Sequence, residues 1–321
     1  MDPRNILVLG GCGFVGRSVC EHLVDRRGAG DARIVVPTRH AMRGNAIRSL
    51  PTVEVVAADI GDDGALARLL PGIDAVINLV GILHGSTAEF DRVHVELPRR
   101  LAAACRGAGV GRIVHVSALG VGPSAPSAYL RSKTAGEEVL RSSGLEPTIL
   151  RPSVIFGEGD RFLNRLARLG RASPLVLLPA ADARFAPVWV ANVAEAIVVA
   201  LDRREARGRV YELGGPQVHT LRELVRLAGR WAGHERPIVA MPEAIAWPLA
   251  ALLEWLPGEP PLTRDNLATM RVPSVPSGEW SGFDAFGILP SPLEAIVPGY
   301  LRPSGARARL DRWRASARRG V

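Results

Sequence analysis

The sequence predicts an α/β protein whose first half is a doubly wound parallel sheet and whose second half is a smaller C-terminal lobe. Over the first 150 residues, short apolar segments alternate with segments of helical periodicity. Continuous apolar strands are typical of a parallel sheet that helices cover on both faces. After Pro152 this alternation loosens, and proline and glycine become denser between residues 257 and 300. These observations favour one large sheet domain followed by a lobe of less regular structure.

The elements of the sheet domain follow from their apolar patterns. Six strands are expected at Asn5–Gly10, Arg33–Thr38, Val53–Ala57, Ala75–Val80, Arg112–Ser117 and Pro147–Arg151. Helices are expected at Phe14–Asp25, Gly64–Leu70, Phe90–Arg106 and Ala128–Arg141. The second half is expected to hold helices at Asp160–Leu169 and Asn192–Leu201, a strand at Arg209–Leu213, and a helix from Thr220 with Glu223 in a capping box. The expected division is residues 1–151 for the sheet domain, 152–300 for the lobe (185–215 returning to the sheet) and 301–321 for a basic tail.

Composition indicates a soluble globular protein, because 47% of the residues are hydrophobic and 22% are charged. We expect no transmembrane helix, since no run of eighteen apolar residues occurs, and no signal peptide. The three cysteines, Cys12, Cys20 and Cys105, lack metal-ligand spacing. They are interpreted as free thiols in a reducing compartment. We therefore expect a cytoplasmic protein without a metal site, with peripheral attachment to the inner face of a membrane as an option.

Positive charge is concentrated at the C-terminus. Residues 302–321 hold seven arginines and one acid, Asp311, so they supply +6 of the net charge of +8. Such a tail suits an anionic partner, either acidic lipid headgroups or an acidic protein face. A solvated, frayed terminus is the alternative. Nucleic acid is not expected as a partner, because the rest of the chain lacks a basic stripe with interleaved aromatic residues.

A glycine-rich loop follows the first predicted strand. Gly10, Gly13 and Gly16 are spaced G-x-x-G-x-x-G, and Phe14 and Val15 lie between the last two. Glycine allows the chain to turn tightly, to approach a pyrophosphate and to pack the helix closely against the strand. The helix N-terminus then offers free N–H groups to the phosphates. At the first strand–helix junction of an alternating pattern, this loop predicts a Rossmann-type dinucleotide site rather than a turn without a ligand.

The end of the second strand favours NADP(H) over NAD(H). An acid at this position accepts the ribose hydroxyls of NAD, whereas a cation accommodates the 2′-phosphate of NADP. The sequence has Arg39 there, with Arg43 close behind and no acid. A solvated surface arginine is the alternative for Arg39. Asp59, after the third strand, is a candidate for contact with the adenine amino group, and a helix-capping role is the alternative for it.

Lys133 is the only lysine among the 40 basic residues, and it follows Tyr129, one of three tyrosines, by four residues. Two residues at this spacing share one face of a helix. An ammonium beside a phenol favours the phenolate, so we expect Lys133 to lower the pKa of Tyr129 and to let it exchange protons near neutral pH. Ser117 ends the fifth strand, where a ligand of a parallel sheet binds, and is placed to hydrogen-bond a substrate carbonyl. Packing and solvation are the alternatives for Tyr129 and Lys133.

These residues together resemble the short-chain dehydrogenase/reductase superfamily. The matching segments are the loop GGCGFVGR from Gly10, Asp59-Ile60, Asn78-Leu79-Val80-Gly81, Ser117 with Tyr129-Leu-Arg-Ser-Lys133, and Arg151-Pro152-Ser153. The resemblance implies that Ser117, Tyr129 and Lys133 are catalytic. It also implies that Ile60, Asn78, Val80, Gly81, Lys133 and Pro152 contact the cofactor, with Pro152 near the nicotinamide.

The chain is more closely similar to an atypical branch of this superfamily, related to the nucleotide-binding accessory subunit nine of the complex I alpha subcomplex and its bacterial relatives. The specific stretches are Ala75–Leu83, Leu150–Gly157, Tyr211–Pro216, Pro261–Leu267 and Pro292–Leu301. This branch implies a tightly held NADPH and, in the mitochondrial member, a structural role. Two residues depart from the superfamily pattern. His94 replaces a frequent asparagine, which puts a proton relay in doubt, and Asn192 replaces an aspartate, which concerns packing or capping.

Two functions are compatible with these residues. The first is an oxidoreductase that transfers hydride between NADPH and a carbonyl or quinone-like substrate bound in the C-terminal lobe. The second is a cofactor-stabilised accessory or assembly protein without turnover, which the basic tail and the apolar stretch Ala244–Leu256 would attach to a respiratory membrane complex. We expect that stretch to form a core helix in preference to a helix at a membrane interface. A sensor of NADPH is a third, weaker hypothesis.

Overall fold

The computed structural model describes residues 3–28, 32–256, 258 and 260–301. The basic tail lies outside these residues. The strands are β1 Asn5–Leu9, β2 Arg33–Thr38, β3 Val53–Ala57, β4 Ala75–Asn78, β5 Arg112–Val116, β6 Thr148–Pro152, β7 Ile155–Phe156, β8 Val176–Pro179, β9 Arg184–Phe185, β10 Val188–Trp189, β11 Val210–Leu213, β12 His219–Thr220 and β13 Ile238–Met241.

The α-helices are α1 Phe14–Arg27, α2 Asp63–Leu69, α3 Thr87–Asp91, α4 Leu97–Gly107, α5 Ala128–Arg141, α6 Phe162–Ala172, α7 Val190–Asp202, α8 Leu221–Trp231, α9 Glu243–Leu253, α10 Arg264–Met270 and α11 Leu293–Leu301. A π-helical segment, Arg92–Glu96, joins α3 to α4. Short 3₁₀ helices lie at Ala41–Gly44, Arg204–Ala206 and Phe283–Phe286.

A seven-stranded sheet in the order β11-β6-β5-β4-β1-β2-β3 forms the centre of the protein. Every pairing in it is parallel, and all six predicted strands belong to it. The seventh strand, β11, lies at the edge with Val210 opposite Ile149. The order reverses between β1 and β4, because the chain winds outward from these two strands in opposite directions. Ligands of open α/β sheets bind at the carboxyl ends of strands beside such a point.

Both faces of the sheet are buried, which explains the continuous apolar strands. Ile6 and Val8 of β1 pack into a cluster on the side of α1 and α7. Leu7 and Leu9 point the other way, into a cluster on the side of α2 and α4. Side chains alternate across a strand, so a strand covered on both faces must be apolar at every position. The doubly wound α/β fold is therefore confirmed.

A third apolar cluster lies beside the sheet and is built mainly by α6, β8, α8 and α11. Helix α8 begins with the expected capping box, in which Thr220 and Glu223 each accept from the other's backbone N–H. Asp160 accepts hydrogen bonds from the Leu163 N–H at 2.6 Å and from the Tyr300 hydroxyl at 2.8 Å. This carboxylate thereby ties α11 to the beginning of α6.

The predicted continuous helix Phe90–Arg106 is wrong at its start and in its middle. Helix α3 begins at Thr87, where Ser86 and Glu89 form a capping box that was not predicted. In the following π-helical segment each backbone hydrogen bond spans five residues in place of the four of an α-helix, and such segments occur frequently at functional sites. The π-helical segment amounts to one residue inserted into a helix. This insertion shifts the apolar pattern by a single residue, so a search for a period of 3.6 residues does not reveal it.

The expectation of a core helix at Ala244–Leu256 is also wrong. Helix α9 forms there, but only Ala246 and Ala250 are buried in it. Ile245 and Leu252 are exposed, and Trp247, Leu249 and Leu253 are only partly buried. In the part of the chain that the structure describes, no helix is long and apolar enough to span a membrane.

Candidate functional site

The glycine loop connects β1 to α1 at the carboxyl edge of the sheet. Gly10 has φ 83°, a conformation that residues with a side chain rarely adopt. A Cβ at Gly16 would overlap the carbonyl oxygen of Gly10, so only glycine lets α1 begin this close to the loop. Gly13 is the N-cap residue, and its N–H donates to Gly10 O at 2.9 Å. These contacts hold the loop in a tight turn directly beside the reversal point of the sheet.

The first turn of α1 is free to bind an anion. No side chain among the described residues caps this helix, and its first turn carries no acid. The N–H groups of Phe14, Val15 and Gly16 belong to the turn whose amides have no partner within a helix. A helix N-terminus with these properties is a ready site for a phosphate group.

The residues after β2 suit a second phosphate. Arg39 follows the last residue of β2 and is exposed. In residues 3–28, 32–256, 258 and 260–301, its guanidinium has no hydrogen-bond or ion-pair partner. The backbone of Arg43 lies in the 3₁₀ helix Ala41–Gly44, and its side chain lies outside what the structure describes. Arg39 is therefore available to an anion at this edge.

Asp59 and Ile60 follow β3 at the same edge of the sheet. Asp59 Oδ1 accepts a hydrogen bond from the Gly61 N–H at 2.9 Å. The carbonyl oxygen of Ile60 accepts from the guanidinium of Arg100. The local turn therefore already uses one carboxylate oxygen of Asp59, which stays exposed, while the N-cap residue of α2 is Asp62.

Asn78 fixes the turn after β4. Its Oδ1 accepts from the Val80 N–H at 3.2 Å, and its Nδ2 lies 3.1 Å from His115 Nδ1. An amide nitrogen only donates, so His115 Nδ1 is the acceptor. Burial lowers the pKa of His115 well below its usual value, which keeps the ring neutral. A Cβ built at Gly81 would lie 3.2 Å from Lys133 Nζ, so this turn brings the backbone directly against the lysine.

Lys133 is buried, and its Nζ donates to the carbonyl oxygen of Val116 at 3.1 Å. Burial lowers the pKa of this ammonium to about 8, although the nearby carboxylate of Glu137 acts to raise it. Glu137 is held in turn by Arg151, whose Nε and Nη2 donate to its two carboxylate oxygens at 2.9 and 2.6 Å. A short chain of charges therefore runs from the end of β6 to the end of β5.

Ser117 follows Val116 directly and is buried. Its Oγ has no hydrogen-bond partner among the described residues. A buried hydroxyl without a partner costs free energy, on the order of 1–3 kcal/mol, unless a ligand or water satisfies it. This hydroxyl and the Lys133 ammonium lie at the carboxyl end of β5, so the arrangement fits a ligand that offers polar atoms there.

Tyr129 is half-buried one helical turn before Lys133 on α5. Its ring packs edge-on against His94 and Phe90, with centroid distances of 5.6 and 6.0 Å. Burial raises the pKa of Tyr129 to about 12, so the expectation that Lys133 lowers it is wrong for this structure. Desolvation of the phenolate is the cause, and the Lys133 ammonium is directed at a backbone carbonyl instead. Tyr129 is therefore protonated at neutral pH.

Asp265 holds the beginning of α5 and was not predicted from the sequence. This residue of α10 accepts from the N–H groups of Ala128 and Tyr129 through Oδ1 and Oδ2, at 2.6 and 3.2 Å. A carboxylate at a helix N-terminus also interacts favourably with the helix dipole. The sequence separation of more than 130 residues leaves no local pattern that would reveal this contact.

His94 is locked as a neutral ring. Its Nε2 accepts from the Ile82 N–H at 3.1 Å, so its Nδ1 carries the proton and donates to Ser132 Oγ at 2.8 Å. Ser132 Oγ then donates to the carbonyl oxygen of Tyr129. Burial, helped by the charge of Lys133, lowers the pKa of His94 to about 3. Because both nitrogens are engaged, this residue positions α5 and does not relay protons.

The predicted residues thus gather at one edge of the sheet. Lys133, Ser117 and the backbone of Gly81 meet around the ends of β4 and β5. Pro152 ends β6 next to them, and its carbonyl oxygen accepts from the Leu119 N–H at 3.0 Å. Asn192 Oδ1 accepts from the Ser291 N–H at 2.8 Å, so it anchors the chain before α11. Within the described residues, no cluster of histidine, cysteine, aspartate and glutamate has the geometry of a metal site.

A parallel sheet with a glycine loop at its reversal point and a lysine-bearing helix beside it defines a dinucleotide-binding protein of the Rossmann type. Residues 6–214 match the family described as the NAD dependent epimerase/dehydratase family. The chain belongs to this family.

Two curated relatives and one solved structure show what the chain resembles. It is 32% identical over 319 residues to the mitochondrial NADH dehydrogenase [ubiquinone] 1 alpha subcomplex subunit 9 of Mus musculus, covering 96% of this chain and 81% of that protein. It is 32% identical over 246 residues to a ceramide reductase of Caulobacter vibrioides, covering 75% of each. An NADPH-dependent quinone oxidoreductase of Escherichia coli, complexed with NADPH, shares the fold with a TM-score of 0.72 and 23% identity, covering 92% of this chain and 99% of that chain.

Proposed function

We propose that this protein is an NADP(H)-dependent oxidoreductase that transfers a hydride between the nicotinamide and a carbonyl or quinone-like substrate. One observation carries the proposal. The buried Ser117 hydroxyl has no partner among the described residues, and the Lys133 ammonium is bound to the residue next to it. Tyr129 lies one turn away from that lysine on the same helix. This is the set of donors that a substrate oxygen needs when a hydride reaches the carbon bearing it.

Each residue has a distinct role in this proposal. The nicotinamide supplies or accepts the hydride. Ser117 donates a hydrogen bond that orients the substrate oxygen, and Tyr129 exchanges a proton with it. The phenol of Tyr129 holds its proton at neutral pH and can donate it to a substrate oxygen during reduction, although its pKa of about 12 makes it a weaker acid than an ordinary tyrosine. Lys133 donates to the carbonyl oxygen of Val116 and so fixes the backbone beside Ser117, and its positive charge lies next to the turn at Gly81. The protonation state of Tyr129 therefore favours reduction of the substrate.

The cofactor is proposed to be NADP(H) in preference to NAD(H). The exposed guanidinium of Arg39, without a partner among the described residues, is the charge available for a 2′-phosphate at the end of β2. Phe14, Val15 and Gly16 would bind the pyrophosphate through their amides. Asn78, Val80 and Gly81 would flank the cofactor beside Lys133, and Pro152 would lie near the nicotinamide.

A second candidate function is that of an accessory or assembly protein without turnover. The similarity to the complex I subunit favours it, because that alignment covers 96% of this chain. In this case NADP(H) would stabilise the fold by mass action and would not exchange on the timescale of a reaction. The similarity to a ceramide reductase favours turnover instead.

Replacement of Tyr129 by phenylalanine tests the proposal. The experiment follows oxidation of NADPH by the full chain with a panel of ketones, aldehydes and quinones. Tyr129→Phe is expected to lower kcat by roughly a hundredfold or more, because a positioned general acid contributes at least that much, and to leave NADPH binding unchanged.

Tyr211→Phe is the matched control. Tyr211 is a buried residue of β11 whose ring packs on Phe286 with a centroid distance of 4.6 Å, and this variant should retain full activity. Full activity of Tyr129→Phe would contradict the proposed role of the phenol. A wild-type protein that binds NADPH and turns over no member of the panel would favour the accessory function.

A further inference from the structure

Helix α9 and the turn that follows it expose several large apolar side chains. Ile245 is 58% exposed and Leu252 is 69% exposed, and just beyond the helix Trp255 and Leu256 are 89% and 52% exposed. Ala246 and Ala250 are the fully buried residues of the helix, and Trp247 packs partly buried beside them. An ordinary surface helix has the opposite arrangement, with large apolar residues inward and polar residues outward.

These exposed residues form one uncharged stripe. Ile245, Pro248 and Leu252 are three and four residues apart, a spacing that places side chains on one side of a helix. Trp255 and Leu256 follow in the turn after the helix, and these five residues are here called the α9 stripe. The stripe contains no charged or hydrogen-bonding group apart from the indole nitrogen of Trp255. A contiguous apolar surface of this kind marks an interaction site.

The acids next to the stripe are tied to a neighbouring helix. Glu243 accepts from Arg271 at 3.1 Å, and Glu254 accepts from Arg264 at 2.9 Å. The Arg271 guanidinium also lies 5.2 Å from the centre of the Trp247 ring. These contacts attach α9 to α10 and its C-terminal end, so the outward orientation of the stripe is held by several independent contacts.

A strand pair leading into α9 adds to the apolar surface. Val239 of β13 lies opposite Leu177 of β8 in a parallel register, and both side chains are exposed. Only Pro242 separates β13 from α9. Exposed apolar side chains in this part of the chain are therefore not confined to α9.

The charge of the remaining chain indicates what covers the stripe. After Leu301, where α11 ends, the sequence holds seven arginines and one acid in twenty residues. Basic segments are attracted to anionic lipid headgroups. An apolar surface joined to a basic segment provides the two signals that stable attachment to a bilayer requires. A second copy of the chain is a poorer occupant, because each copy carries a net charge of +8.

We infer that the α9 stripe docks this protein onto the surface of an anionic lipid bilayer. Helix α9 has 11 residues, so it is too short to cross the bilayer and lies in the plane of the interface. Trp255, at the end of the stripe, sits at the headgroup level, where tryptophan is enriched in membrane proteins. This inference does not depend on the proposed reaction.

Sedimentation of the full chain with vesicles tests the inference. Vesicles of phosphatidylcholine alone are compared with vesicles that also contain phosphatidylserine. The double variant Leu252→Gln/Trp255→Gln removes apolar surface at two exposed positions where the fold loses little packing. The wild type is expected to sediment with the anionic vesicles, and the double variant is expected to bind them more than about tenfold more weakly.

Leu289→Gln is the control, since Leu289 is 90% exposed and lies outside the stripe, and it should bind like the wild type. Binding of the double variant equal to that of the wild type would overturn the inference, as would a wild type that binds neither kind of vesicle. A wild-type dimer that the double variant abolishes, without vesicle binding, would assign the stripe to a second copy and would also overturn it.

Discussion

Lys133 is the single lysine of a chain whose other 39 basic residues are arginines, and it is buried on α5. Its compact ammonium reaches a single carbonyl oxygen, that of Val116, in a space bounded by the backbone of Gly81. A planar guanidinium is larger and is not interchangeable with an ammonium at such a site. The sequence alone singled out Lys133, Tyr129 and Ser117, because their types and spacing carry the information. It missed the raised pKa of Tyr129, because desolvation depends on neighbours distant in sequence.

Burial of Lys133 predicts a pH dependence of stability. Its pKa falls from 10.5 in the unfolded chain to about 8 in the folded protein without cofactor. Between these values the unfolded state binds more protons, so the free energy of unfolding rises as the pH rises from 8 to 10.5. Since one pKa unit corresponds to about 1.4 kcal/mol, the rise is on the order of 3 kcal/mol.

The measurement is urea unfolding of the wild type and of Lys133→Met at a series of pH values. The comparison cancels the effect of Cys20 and Cys105, whose pKa values burial raises to about 12, so that they act in the opposite direction above the usual thiol value of 9.0. The free energy of unfolding of the wild type minus that of Lys133→Met should increase as the pH rises over this window. If this value stays constant or decreases as the pH rises, Lys133 is not buried as described.

The position of a single residue, Arg39, also leads to a prediction about the preference for NADPH over NADH. Arg39→Ala is expected to weaken NADPH binding by about tenfold to a hundredfold and to leave NADH binding unchanged, because only NADPH carries a 2′-phosphate. Fluorescence titration with both cofactors gives the two dissociation constants. Arg226→Ala, an exposed arginine of α8, is the control and should change neither. Equal weakening of both cofactors would contradict the proposed role of Arg39.

At the scale of elements, α5 is positioned by contacts from both ends of the sequence. Asp265 of α10 holds its first residues, and the π-helical segment that bears His94 packs along its middle. Several boundaries, including those of β2, β3 and α5, were predicted from apolar patterns without error. The π-helical segment and α10 were not, because an inserted residue and a helix of seven residues leave weak periodicity.

A substitution at Gly136 tests how closely α5 packs against the π-helical segment. A Cβ at this position would overlap the carbonyl oxygen of His94, so Gly136→Ala must push the two helices apart. The expected loss in free energy of unfolding is about 1–3 kcal/mol, accompanied by lower activity.

Gly107→Ala is the matched control in α4, since nothing lies within 4 Å of a Cβ there. Alanine has a higher helix propensity than glycine, and this variant should be neutral or slightly stabilised. Urea unfolding measures the free energy of unfolding of both variants. Equal stability of the two would show that α5 does not approach the π-helical segment as closely as described.

At the scale of the whole molecule, the sheet and the family were predictable because parallel pairing requires continuous apolar strands and the glycine loop has a distinctive spacing. The exposed side of α9 was not, because an apolar stretch of thirteen residues predicts a helix without indicating whether its large side chains face the core or solvent. The division into domains, the preference for NADP(H) and the role of the basic tail stay predictions. Cofactor exchange separates the two candidate functions of the protein as a whole.

The central claim is that this protein uses NADP(H) as an exchanging redox cofactor. The rate at which bound NADPH leaves the purified protein tests it most directly, measured by nicotinamide fluorescence after addition of excess NADP⁺. We expect release within seconds and tighter binding of NADPH than of NADH. Release over hours would contradict turnover and would indicate a structural cofactor, and failure to bind either dinucleotide would contradict the assignment of the site.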